Sequence, residues 1–144
     1  MSFDLKIQNK DLKIINGQLK TVVDSEKLIQ DILKICLTDA GSNILNPFYG
    51  SFISSAMIGS SLATEIVVSL GQAQIQKCLE NLQSLQLVQV STLQRVSPDE
   101  QLAAVNKVSI IRNTNDPRLF QVVIFGYTKG FKPITAAFRV SNLT

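Results

Sequence analysis

A chain of 144 residues, 45% apolar and 17% charged, is long enough for one domain with its own core. Its formal charge of +3 comes from fourteen scattered basic residues, which argues against a nucleic-acid face, where Lys and Arg cluster. The absence of His removes Ser-His and Cys-His nucleophile systems and the usual zinc ligand, and Cys36 and Cys78 sit among apolar residues as small hydrophobes, so no metal, cofactor or disulfide framework is expected.

The opening MSFDLKIQNK lacks the form of a signal peptide, and no apolar run approaches a membrane span, so the expected setting is the cytoplasm or a particle assembled there. From Phe3 to Val23 apolar and polar residues alternate around Asn16-Gly17, which predicts a hairpin, because both central residues of a type I′ turn need positive φ. Asp-Leu-Lys-Ile occurs twice, at Asp4 and Asp11, and is read as repeated strand usage, too short for a solenoid. A first helix should start at Asp24 or Ser25 as N-cap, turn Leu28, Ile29, Ile32, Leu33, Ile35 and Cys36 inward, leave Lys27, Gln30, Asp31 and Lys34 outside, and close at Gly41.

A second helix is expected from Leu62 to about Val90. Its apolar stripe changes at Gly71, from Leu62, Ala63, Ile66, Val67 and Leu70 to Ile75, Cys78, Leu79, Leu82 and Leu85, so the helix either bends there or serves two surfaces. Gly59-Ser60-Ser61 before it lacks the Lys of a phosphate loop and reads as a helix start. Ser97-Pro98-Asp99-Glu100 has the form of a capping box and predicts a short helix to Asn106 with Leu102, Ala103 and Val105 inward. Strands follow over Val108–Arg112, Leu119–Tyr127 and Ile134–Val140. The middle one is apolar on both faces, Phe120, Val122 and Ile124 on one and Leu119, Val123, Phe125 and Tyr127 on the other, so either the N-terminal hairpin or a partner should cover the second face. The fold class is α+β: a small antiparallel sheet against two or three helices, in one domain divided as hairpin 3–23, helical core 24–106 and strands 107–141.

A glycosidase would need two carboxyl groups about 5 to 9.5 Å apart across a cleft, one in an apolar pocket. Of the acids, Asp39 and Glu65 have the least obvious structural use, but nothing in the sequence pairs them, and with no Trp a sugar-stacking groove is not evident; a non-enzymatic protein is expected.

The stretch Lys27 to Ser51 combines an amphipathic helix, a glycine stop and an Asn-Pro-Phe-Tyr-Gly-Ser ending. Through Gln30, Leu37, Thr38, Gly41, Pro47, Phe48 and Gly50 it resembles the wedge or sheath-initiator proteins of contractile phage tail baseplates, often labelled lysozyme-like, and the likeness extends more loosely over most of the chain. Two departures stand out: Gly41 is followed by Ser42-Asn43 where the family commonly has Glu and an Arg, and its Glu-Pro-Arg motif after the long helix is missing. The resemblance implies a structural protein in several copies around a sixfold axis, with other wedge proteins and the tail tube and sheath as partners; the scattered charge and the lack of a long apolar run add the expectation of neither nucleic acid nor membrane.

β-Augmentation of an unpaired edge would be the physical route to such partners, with Phe3–Ile7 and Ile134–Val140 as expected edges. Expected contact residues are Ile134, Ala136, Phe138 and Val140, then Phe125 and Tyr127, and the loop aromatics Phe48 and Tyr49. Of the last two, Phe48 is expected to plug the core between helices and Tyr49 to face a neighbour.

Overall fold

The N-terminal segment is built from a seven-residue unit used three times: DLKIQNK, DLKIING and QLKTVVD. In the computed structural model, which describes residues 2–57, 63–92 and 94–141, these copies form three two-stranded antiparallel ribbons instead of one hairpin. β1 (Asp4–Leu5) pairs with β6 (Thr21–Val22), β2 (Ile7–Gln8) with β3 (Asp11–Leu12), and β4 (Ile14–Ile15) with β5 (Gln18–Leu19). The central lysines close the figure: Lys13 N–H donates to the Lys6 carbonyl, Lys20 N–H to Lys13 and Lys6 N–H to Lys20, at 2.9, 2.9 and 2.8 Å. The seventh residue of each copy, Lys10, Gly17 and Asp24, has positive φ, and Asn9 and Asn16 precede the first two in the same region. Asn16-Gly17 therefore does turn a hairpin, but a very short one. The repeated Asp-Leu-Lys-Ile is a fold repeat whose third copy has diverged in sequence, because each lysine gives its main-chain donor to one neighbouring copy and its acceptor to the other.

Asp24 at that seventh position cannot also cap the following helix. α1 (Asp24–Leu37) begins with no side-chain cap, and Asp24 instead accepts a 2.7 Å hydrogen bond from the Ser97 hydroxyl. The helix stops at Leu37, with Thr38 as C-cap and its hydroxyl on the Lys34 carbonyl, ahead of Gly41. Lys27 and Gln30, expected outside, are buried along with Leu28, Ile32, Ile35 and Cys36: the three-ribbon plate lies against Gln30, and Lys27 pairs with Asp31 in a cleft shared with Leu82, Leu85 and Gln86 of the following long helix. A five-residue helix, α2 (Ile53–Met57), precedes α3 (Thr64–Ser91).

α3 is one helix, and its buried residues Val67, Gly71, Ile75, Cys78, Leu79, Leu82 and Gln86 form one stripe. Gly71 marks a close approach: a Cβ there would lie 2.7 Å from Met57 Sδ and 2.9 Å from Ile110 Cδ1. The other apolar set near its start, Ile66 and Leu70, is exposed, whereas Leu62 and Gly59-Ser60-Ser61 lie outside the described residues. Cys36 and Cys78 are buried thiols 3.9 Å apart at the α1–α3 contact. The hydrogen bond shared with the Cys78 thiol, then burial, hold the Cys36 thiol well above its ordinary value, which suits inert packing.

The expected helix after Ser97 is a single 3-10 turn, Pro98–Glu100, and Leu102 to Asn106 belong to β7 (Leu102–Arg112). Ser97 N–H does donate to Glu100 Oε2, as the capping box requires, but two long-range bonds win the next residues. Gln86 of α3 accepts from Leu102 N–H and donates to the Glu100 carbonyl, and β7 pairs along its length with β8 (Leu119–Thr128). The Glu100 carboxylate, fully buried, also accepts from the Ser2 main-chain N–H and hydroxyl, each at 2.9 Å. β8 pairs in turn with β9 (Pro133–Ser141), giving a three-stranded antiparallel sheet in the order β7-β8-β9. α3 packs on β7 and α1 on β9. The inward residues Ile110, Phe120, Val122, Ile124, Ile134, Ala136, Phe138 and Val140 meet the helices in one core, each large aliphatic or aromatic side chain contributing about 1.5–3 kcal/mol by leaving water. The fold is α+β, with the N-terminal ribbons as separate small sheets.

Candidate interface surfaces

Residues 38–51 form a loop pinned at its neck. Ser51 N–H donates to the Thr38 carbonyl at 2.8 Å, Ala40 N–H to the Ser51 carbonyl at 3.0 Å, and the Ser51 hydroxyl to the Cys36 carbonyl at 2.6 Å. Gly41 N–H donates to the Pro47 carbonyl across the loop, and the Asn43 side chain accepts from Leu45 and Asn46 N–H, a local turn that needs no partner from the rest of the chain. Gly50 sits in the neck at φ +114°, where a Cβ would come within 2.5 Å of the Thr38 carbonyl oxygen.

The loop aromatics are placed opposite to expectation. Phe48 is 82% exposed, while Tyr49 is half-buried and packs against the core. The tight Asn46–Tyr49 turn sets this: Tyr49 N–H bonds the Asn46 carbonyl, which aims the residue next to Gly50 inward and leaves Phe48 at the tip. Two further apolar residues of the tip, Ile44 at 95% and Leu45 at 96% exposure, escaped sequence reasoning. Their signal was present, a pair of aliphatics between Asn43 and Asn46 with no periodic partner. Replacing Phe48 by Ala should therefore leave thermal stability within about 0.5 kcal/mol of the parent, whereas Tyr49→Ala should cost about 1–3 kcal/mol; chemical denaturation of the two purified variants reads the difference.

Tyr49 also borders a cleft with Phe3, Asp4, Lys27, Asp31 and Lys34. Asp31 pairs with Lys27 at 2.8 Å and with Lys34 at 3.1 Å, and Lys34 pairs in addition with Asp4. Burial alone would raise the Asp4 carboxyl, but the hydrogen bonds from Lys34 and Gln30 and the Lys34 charge together hold it below its ordinary value. Lys34 is raised: desolvation pulls it down, and the two aspartates outweigh that. A depressed Asp4 contributes stability that is full above the ordinary carboxylate value and is lost as pH falls through its folded value. A raised Lys34 contributes stability that is full below the ordinary lysine value and is lost as pH rises through its folded value. Docking of the N-terminal plate on α1 should thus be strongest between about pH 4 and 10. NMR of the Leu5 and Ile7 amides should show the acid limb, and Asp4→Asn should abolish it.

On the sheet, Ile134, Ala136, Phe138 and Val140 are all buried, so their side chains cannot meet a partner; alternation in β9 points them at α1 and the core. What β9 offers instead is main chain, since it is a terminal strand of the sheet. Phe3–Ile7 is not an open edge: β1 and β2 are each paired on one side, and on the other Gln30 takes the Ile7 N–H and the Leu5 carbonyl while Asp4 Oδ1 takes the Leu5 N–H. Phe125 and Tyr127 are each 41% exposed on the outer face of β8, and no strand or helix among the described residues lies over them. The N-terminal ribbons sit against α1 and leave that face open. The expected contact residues thus fall on two separate surfaces, Phe48 on the loop and Phe125 with Tyr127 on the outer sheet.

Neither acid weighed for hydrolysis is buried in an apolar pocket. Asp39 is exposed and accepts a 2.6 Å hydrogen bond from the Ser54 hydroxyl in α2, and Glu65 is exposed in the first turn of α3. Among the described residues no cluster of three or more His, Cys, Asp or Glu could hold a metal ion, and no helix is long and apolar enough to cross a membrane.

No family model matches the chain, and no curated protein matches it in sequence. Among solved structures, the crystal structure of a "putative tail lysozyme" from Geobacter sulfurreducens superposes with a TM-score of 0.63 over 83% of this chain and 91% of that one, at 11% sequence identity. The two proteins share a fold.

Proposed function

We propose that this chain is a non-enzymatic structural component of a contractile phage tail baseplate or a related injection apparatus, joining wedge proteins around the tail tube and starting the sheath through an edge strand. The observation that carries the reading is β9: its alternate side chains Ile134, Ala136, Phe138 and Val140 are locked into the core while its outer main-chain edge ends the sheet. Such an edge accepts a strand from another chain through main-chain hydrogen bonds, with its own register fixed by the buried residues. Support comes from the fold shared with a protein described as a tail lysozyme, from the Gln30-to-Gly50 signature, and from the apolar tip Ile44, Leu45 and Phe48 on a pinned loop beside the same core.

The rival is a peptidoglycan hydrolase, suggested by that neighbour's description. It requires one protonated and one ionised carboxyl facing each other. Asp4 and Asp31, which share a cleft, are instead bridged by Lys34.

Cryo-electron microscopy and mass spectrometry of particles purified from the source test the proposal. Six copies, or a multiple of six, at the junction of baseplate and tube with a foreign strand along β9 are expected. Absence from the particle defeats the reading, and cell-wall digestion that is lost in Glu65→Gln would establish the rival.

A further inference from the structure

The outer face of the β7-β8-β9 sheet carries an ordered pattern of apolar groups and charge. Down β8, Tyr127, Phe125 and Val123 stand in one line; Lys107 of β7 lies directly beside Phe125, and Arg139 of β9 lies beside Gln121, one step beyond Val123. Ile111, 62% exposed, completes the apolar area on the β7 side. The two cations therefore flank the apolar line diagonally, one on each side. None of the residues of β7, β8 or β9 is Asp or Glu, and none of the ion pairs among the described residues involves Lys107 or Arg139.

We propose that this face docks an apolar segment of a partner protein that bears carboxylates along both flanks. Its apolar side chains would cover Tyr127, Phe125, Val123 and Ile111, and its acids would meet Lys107 on one side and Arg139 on the other. Charge sets the occupant. The opposite face of the sheet is already covered by helices, so an amphipathic segment here completes a three-layer arrangement in which both faces of β8 leave water. A second copy of this chain presenting the same face would bring cations only against cations, which like-charge repulsion disfavours. A single-stranded nucleic acid could stack on Phe125 and Tyr127, but it needs a continuous basic track, and two cations on opposite strands do not make one. The proposal concerns the outer face of the sheet and not the main-chain edge of β9, so it stands or falls independently of the tail assignment.

The test uses the full chain and two synthetic 18-residue leucine–alanine amphipathic peptides, identical except that the flanks of the apolar stripe carry glutamate in one and lysine in the other. In a ¹⁵N NMR titration the glutamate-flanked peptide should bind at least tenfold more tightly than the lysine-flanked one, shifting the amides of Ser109, Val123 and Phe125. The double variant Lys107→Glu/Arg139→Glu should reverse that order; both side chains are exposed, and an unchanged spectrum of the core amides will show that the variant is folded. Equal affinity for both peptides, binding of neither, or an order unchanged by the double variant would overturn the proposal. So would concentration-dependent self-association that Phe125→Asp removes, or tighter binding of oligo-dT at the same amides.

Discussion

Replacing Gly50 by alanine should destabilise the protein by about 3–5 kcal/mol, a large share of the stability of a small domain. Two independent costs meet at this residue. Its φ of +114° lies in a region that a side chain with a Cβ rarely enters, and the added carbon would sit 2.5 Å from the Thr38 carbonyl oxygen, 2.9 Å from Ala40 N and 3.0 Å from Asp39 C. All three are backbone atoms, so no side chain can swing away. They also belong to the strands of the neck, where Ser51 N–H bonds Thr38 and Ala40 N–H bonds Ser51, so relief requires opening the neck. Opening it would free Ser51 from the Cys36 carbonyl and let Tyr49 leave the core. Denaturant melting of Gly50→Ala should show the loss, and an amide-exchange map should place it in residues 38–57 first. Gly41→Ala is the control: it has positive φ but nothing within 4 Å of the added carbon, so its cost should be about 1 kcal/mol. Equal effects at the two glycines would show that conformation alone, and not the packed neck, sets the requirement.

That contrast also shows which parts of the molecule could be read from sequence. Gly41, Pro47 and Gly50 announce a loop because they act through their own backbone, and β8 and β9 announce themselves by alternation, since burial of one face repeats every second residue. Signals of this kind are local. The errors fall where a distant partner decides. Leu102 to Asn106 follow a sound capping box, yet Gln86 and β8 draw them into a strand, a competition no short window contains. Gln30 occupies the polar side of α1 and is buried because the N-terminal plate docks there. Among the loop aromatics, a single turn at Asn46 decides that Tyr49 and not Phe48 faces inward. The apolar character of the outer face of β8 could be seen in Val123, Phe125 and Tyr127, but not that the face is open, and its cations could not be placed beside them without the register.

Gln30 is the other position where one side chain holds an entire unit, and Gln30→Ala should cost about 2–4 kcal/mol. Its amide joins α1 to the plate through both ends: Oε1 accepts from Ile7 N–H at 3.0 Å, and Nε2 donates to the Leu5 carbonyl at 2.8 Å and to Asp4 Oδ2 at 3.0 Å. Removing it leaves a main-chain donor and a main-chain acceptor short of a partner at a part-buried site, while Asp4 Oδ2 keeps its bond from Lys34, and each unpaired group costs about 1–3 kcal/mol unless the site opens. The plate has little of its own to resist opening. Its three ribbons have two residues per strand, and its aliphatic cross-strand pairs Ile7–Leu12 and Ile14–Leu19 are exposed, so it draws its order from the cyclic lysine bonds and from α1. Loss of the Gln30 anchor should therefore release it as one piece. Amide exchange at Lys6, Lys13 and Lys20 should accelerate together, while Val122 and Ile124 in the central strand remain protected. Gln30→Glu should be no milder than alanine, because it sets a carboxylate beside Asp4 and the Leu5 carbonyl where a donor stood. If the three lysine amides respond separately, or if glutamate restores protection, the plate is held by something other than this amide.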